Sequence, residues 1–125
     1  MEGTETITDV RVEVKTALDE MAHVYVHVHF RSGSEGSLIR IWSTTFLEDC
    51  HSEHRSQLVH SENITTAPTW LEIAPNADHN FLLIFQGLPK TCTMFDLIER
   101  IPQPGGFEVR AIVRNSQDVY RVSMD

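Results

Sequence analysis

Between Asn80 and Glu99 the chain reads NFLLIFQGLPKTCTMFDLIE. Phe81 to Phe85 is a continuous apolar run of strand length, and Gly87-Leu88-Pro89 stops it. A second short run, Phe95 to Ile98, follows within a few residues. The pattern is strand, connection, strand, with both strands in a core. Met94, Leu97, Ile98 and Ile101 also satisfy a helical period. That alternative spans only about two turns, which is marginal for an independent helix.

Outward from this segment the period of two recurs. Val24, Val26, Val28 and Phe30 face one way, and His23, Tyr25, His27 and His29 the other. Upstream, Val10, Val12 and Val14 alternate with Arg11, Glu13 and Lys15, so Ile7–Leu18 reads as a strand. An antiparallel hairpin with Val24–Phe30 is its natural pairing. Leu38–Leu47 reads as one strand, with Ile39 and Ile41 on one face and Leu38, Arg40 and Trp42 on the other. Gln57–His60, Thr69–Ile73, Phe107–Val113 and Val119–Val122 complete the set. RSGSEGS from Arg31, EDCHSEHRS from Glu48, PNADH from Pro75 and PQPGG from Pro102 supply the turns. Short strands broken by turns at this spacing predict an all-β fold, an antiparallel β-sandwich of about seven or eight strands. A length of 125 residues fits a single domain over 1–125.

The words themselves resemble a group of small bacterial β-sandwich modules. The quoted residues are TFLEDCHSEHRSQLVHSENIT from Thr45, FLLIFQGLPKTCTMFDLIE from Phe81, and GGFEV from Gly105. The group shows an apolar strand ending in "LPK" and a strand reading "FDLIE", and some members precede thioredoxin-like domains in envelope proteins. The resemblance covers about the C-terminal two-thirds of the chain. It implies an immunoglobulin-like sandwich and brings no chemistry with it. The Cys-x-x-Cys of the thioredoxin-like partner is absent here, so redox catalysis does not carry over.

Hydrophobic residues make up 41% and charged residues 22%, an ordinary globular balance. The net charge of −8 argues against nucleic acid and anionic membrane as partners. MEGTETITDV lacks the basic start and apolar core of an export signal, and no run approaches a spanning helix. The expectation is a cytoplasmic protein, with the cell envelope as the alternative if the N-terminus is trimmed. Two cysteines, Cys50 and Cys92, read as reduced thiols, with a single Cys50–Cys92 bridge as the alternative.

Candidate chemistry is sparse. His27 and His29 leave one face of a strand, as paired metal ligands do, and Cys50, His51 and His54 in a turn could complete a site. The same histidines also fit a half-solvated sheet face beside Tyr25. Asp96 and Glu99 offer paired carboxylates, but on a strand they point to opposite faces, and Asp96 reads as a backbone ligand in a turn. Cys50 adjoins His51, and Lys90 could lower the Cys92 thiol only if the two meet. Asn63-Ile64-Thr65 is a chance glycosylation match in a chain without a secretion signal. Trp42 and Trp70 could stack a ring, and as single tryptophans of a sandwich they read first as core fillers. No catalytic residue and no cofactor is expected. The expected function is a non-enzymatic binding or protein-interaction module with a protein partner, a homodimer included. The alternative is a metal-binding protein or small metalloenzyme built on His27 and His29.

Overall fold

A computed structural model describes residues 22–124. The strand expected over Ile7–Leu18, and the hairpin it would form, lie outside the described residues. Nine strands occur among those described: β1 Val24–Arg31, β2 Ser37–Ile39, β3 Thr45–Asp49, β4 Arg55–Glu62, β5 Leu71–Ile73, β6 Asp78–Phe85, β7 Met94–Glu99, β8 Glu108–Val113 and β9 Val119–Met124. The helical alternative for the Thr93–Arg100 segment is not taken, because β7 is an extended strand there.

The class is all-β. Seven strands form one sheet in the order β8-β7-β3-β4-β6-β1-β9, and β2 and β5 form a separate two-stranded ribbon. The sequence reading expects antiparallel pairing throughout. The large sheet is mixed instead, because β1 and β9 run parallel, with Tyr25 opposite Val119 and Phe30 opposite Met124. It is also continuous and rolled toward a barrel, not divided into two large facing sheets. The roll is visible in β4. Its first residues pair with β3 and its later ones with β6. The register shifts between Leu58 and His60, which leaves Val59 as the extra, half-exposed residue of a bulge. Such an insertion bends a strand and sharpens its twist. The terminal strands β8 and β9 are thereby brought near each other, joined by the turn Arg114–Asp118. Phe95 of β7 meets Tyr120 of β9 edge-on, with ring centroids 5.0 Å apart.

The opening stretch occupies the centre of this arrangement. Phe81, Leu83 and Phe85 point inward from β6, and Phe95 and Leu97 from β7, all at 3% exposure or less. Each such side chain contributes about 1.5–3 kcal/mol by leaving water. The two strands are not neighbours, since β3 and β4 lie between them. The Gly-Leu-Pro-Lys connection therefore crosses one end of the barrel, and its Leu88 and Cys92 are buried as a plug. Polar clamps hold the plug. Ser56 Oγ donates to the Gly87 carbonyl at 2.8 Å, and Arg114 Nη1 donates to the Pro89 and Cys92 carbonyls at 2.8 and 3.1 Å.

The single strand expected over Leu38–Leu47 is two, β2 and β3. The backbone between them leaves the ladder because other groups take its hydrogen bonds. Glu99 Oε2 accepts from the Trp42 N–H at 2.9 Å, and the Thr44 carbonyl accepts from the Arg100 N–H at 2.9 Å. Ile41 instead bridges Thr66. Through Ile39, Ile41 and Ile73 the ribbon covers the core, and its other face looks outward. Gly36 is required at its start: φ is +80°, and a Cβ there would lie 2.8 Å from the Ile73 carbonyl oxygen.

Candidate functional site

The structure disperses the histidine and cysteine candidates. His27 is exposed on β1 between Leu82 and Arg121. His29, two residues on, is tied to Asp78, with Nε2 2.9 Å from Oδ1. Arg31 Nη1 donates to the other oxygen of Asp78 at 3.1 Å. The His29 bond first, and the Arg31 bond second, hold the Asp78 carboxyl below its usual range.

Cys50, His51 and His54 sit in the turn between β3 and β4. The Cys50 thiol lies 3.5 Å from Asp96 Oδ1, the His51 N–H donates to Asp49 at 3.0 Å, and His54 Nε2 is 2.9 Å from Ser56 Oγ. Among the described residues, no group of three or more His, Cys, Asp and Glu side chains is placed to hold a metal ion. His27 and His29 are not joined by Cys50, His51 and His54.

The thiols and carboxylates likewise have structural partners. Both cysteines are free, Cys50 exposed and Cys92 buried. Desolvation pushes both thiols up, with Asp96 adding to it at Cys50 and Asp49 at Cys92, so Lys90 does not activate Cys92. Asp96 does bond backbone, as expected, although the backbone belongs to the adjacent strand. Its Oδ1 accepts from the Ala111 N–H at 2.8 Å and its Oδ2 from Arg110 at 3.0 Å. The Ala111 bond leads in holding its carboxyl low. The bond spans the register shift between β7 and β8, where Ala111 takes a φ of +58°. Glu99 is not a solvated edge residue. Its two oxygens accept from the Trp42 and Phe107 N–H groups at 2.9 and 3.1 Å. Asn63 of the glycosylation triplet turns the chain at a φ of +66° and donates to the Asn80 carbonyl.

The tryptophans depart most from the sequence reading. Neither is in the core. Trp70 is 51% exposed, and Trp42 is partly exposed. The Arg40 guanidinium carbon lies 3.7 Å from the Trp70 ring centroid and 5.5 Å from that of Trp42. The stack follows from the ribbon's register. Ile39 pairs with Leu71, so Arg40 and Trp70 come next on either side and share the outward face with Leu38 and Trp42. Arg40 Nη1 donates to the Pro68 carbonyl at 2.9 Å, while its Nε is buried without a hydrogen-bond partner among the described residues. Arg40 also has no ion-pair partner among them.

This face forms one wall of an open cleft of about 700 Å³. Phe30, Ile101, Phe107 and Met124 also line it, together with residues 103–106 of the PQPGG turn. A volume of this order accommodates a small ligand or several side chains of a partner. The cleft combines an exposed indole, a planar cation and a lining of mixed polar and apolar groups, a composition suited to recognition. A sequence signal for it existed: Leu38, Arg40 and Trp42 alternate against Ile39 and Ile41, so the aromatic had to lie on the face opposite the buried isoleucines.

Compared with known protein families, with curated proteins and with solved structures, the chain matches none. Among the described residues no helix is long and apolar enough to cross a membrane.

Proposed function

We propose that the chain is a non-enzymatic binding module that engages a protein partner through the cleft bordered by Trp42, Arg40 and Trp70. The observation that carries this reading is the half-exposed Trp70 ring with Arg40 stacked on it at 3.7 Å. Tryptophan and arginine dominate the energetics of protein interfaces, because each covers a large area with few rotatable bonds in its planar group. Stacking fixes both side chains before contact, so less freedom is lost on binding. Leu38, 59% exposed, extends the same face. His29, His54, Cys50 and Asp96 are engaged in hydrogen bonds elsewhere, consistent with a framework role.

The test is affinity capture with mass spectrometry, comparing wild type with a Trp70→Ala/Leu38→Ala variant that keeps its far-ultraviolet circular dichroism. A saturable partner held by wild type and lost by the folded variant supports the reading. Equal capture by both places the contact elsewhere. Self-association is one form of such a contact, and light scattering at high protein concentration decides it: a monomer there removes the homodimer.

A further inference from the structure

The cleft also carries information about what it receives. From its geometry we infer that the partner presents an extended acidic segment, which adds as a strand along the free edge of β2 and places a carboxylate on Arg40. The inference rests on the binding-module reading above and specifies its ligand.

Three observations converge on it. First, β2 pairs on one side only, with β5, so among the described residues its other edge offers unpaired backbone groups. Leu38, Ile39 and Arg40 bring that edge to the cleft. An added strand satisfies such an edge with main-chain hydrogen bonds and uses alternate side chains for specificity.

Second, Arg40 is a cation without a counter-charge among the described residues, while the carboxylates of the cleft wall are spoken for. Glu99 is held by two backbone N–H groups, and Glu108 by Arg110 at 2.6 Å. Arg40 uses one nitrogen on a carbonyl and stacks its plane on an indole. A guanidinium in that state is weakly hydrated and oriented, and a carboxylate is its complementary ligand.

Third, the register fixes the pattern. In an added strand the residues opposite Leu38 and Arg40 are two apart and share one face. An apolar residue suits Leu38, 59% exposed, and an acidic one suits Arg40. Glu72, opposite Leu38, shares the outward face as a diagonal neighbour of Arg40 but makes no ion pair with it among the described residues, and it lies on β5, on the other side of β2 from the free edge. That puts it about 10 Å from the incoming strand, beyond the screening length of about 8 Å in physiological salt. The net charge of −8 opposes the long-range approach of an acidic segment, so the selectivity rests on the local contact with Arg40.

The probe is a blocked peptide, acetyl-Thr-Asp-Thr-Leu-Thr-Asp-Thr-amide, against the same peptide with both Asp replaced by Asn. The repeat about the central Leu lets an acid meet Arg40 whichever way the strand runs. Trp42 and Trp70 are the two tryptophans of the chain, so intrinsic tryptophan fluorescence reports this cleft alone. The Asp peptide is expected to bind about tenfold more tightly than the Asn peptide in physiological salt, the worth of one charge-assisted pair. The difference is expected to vanish in Arg40→Gln and to shrink for wild type at high salt, a readout that does not depend on the variant folding. Equal binding of the two peptides, or preference for Asn, overturns the acidic ligand and leaves the binding module standing. No fluorescence response to either peptide overturns the acidic strand, while the capture experiment decides the binding module separately.

Discussion

Replacing Arg114 with Met should loosen the barrel at its closure. Arg114 follows β8 directly and makes four bonds: to Asp118 Oδ1 and Oδ2 at 2.6 and 2.9 Å, and to the Pro89 and Cys92 carbonyls at 2.8 and 3.1 Å. It thus ties the β8–β9 turn to the plug between β6 and β7. Both side chains are 18% exposed, so the pair is mostly withdrawn from water. Removing one partner of a buried pair costs about 3–5 kcal/mol, because the other charge is left uncompensated. Two features reduce the figure here. Asp118 keeps the Tyr120 hydroxyl at 2.9 Å, and the Pro89 carbonyl keeps the Cys92 N–H at 3.0 Å. The expectation for Arg114→Met is a loss of about 3 kcal/mol, read as a fall of ~10 °C in Tm. Asp118→Asn tolerates the φ of +56° at that position and serves as the second arm of a double-mutant cycle. A coupling energy of about 1.5–2 kcal/mol is expected from urea unfolding. Additive losses, or a cost below about 1 kcal/mol for Arg114→Met, would show that this contact does not hold the closure.

The same cluster gives a pH dependence. The Tyr120 hydroxyl is pushed up to about 12 by burial, with Asp118 adding to it. A folded value above the unfolded one means stability that is complete below pH ~10 and lost as pH rises toward 12, about 3 kcal/mol in all. Tyr120→Phe should remove that alkaline loss in denaturant titrations, and an unchanged profile would place the titration elsewhere. Ala111 holds a φ of +58°, which costs an L-residue roughly 1 kcal/mol, so Ala111→Gly should raise the denaturation midpoint slightly; a fall would show that the methyl group packs productively. Gly106→Ala should destabilise by about 1–3 kcal/mol and move the cleft rim, because a Cβ there runs into the Glu99 carbonyl; a neutral result in thermal melts would show that the rim yields freely.

What could be read from the sequence follows the physics of each segment. β1 was legible because one of its faces is buried, so Val24, Val26 and Val28 alternate against Tyr25 and His27. β6 and β7 were legible as strands from their apolar runs, whereas their separation by β3 and β4 was not. Nothing in a short connection tells whether it forms a hairpin or crosses the mouth of a barrel. The mixed character of the sheet was hidden for the same reason. The parallel pairing of β1 with β9 joins elements about as far apart in sequence as the described chain allows. The split of Leu38–Leu47 turned on the Glu99 carboxylate taking the Trp42 N–H, a contact 57 residues distant in sequence.

The candidate site lies away from the histidines and cysteines for a related reason. Histidines and cysteines attract attention in a sequence because of their chemistry, yet several here are held by an adjacent or cross-strand neighbour: His29 by Asp78, His54 by Ser56, Cys50 by Asp96. The tryptophans looked like core by size alone, and size is a weak guide on a two-stranded ribbon. The ribbon has one inner face, which Ile39 and Ile73 already fill. A large ring on the other face must remain in water or find a planar partner, and Arg40 is that partner at Trp70. Arg40 has no ion-pair partner among the described residues, and Glu99, which lines the same cleft, is engaged by the Trp42 and Phe107 N–H groups. The Glu99–Trp42 bond that helps hold the chain out of the ladder after β2 thus also occupies a carboxylate that borders the cleft with Arg40.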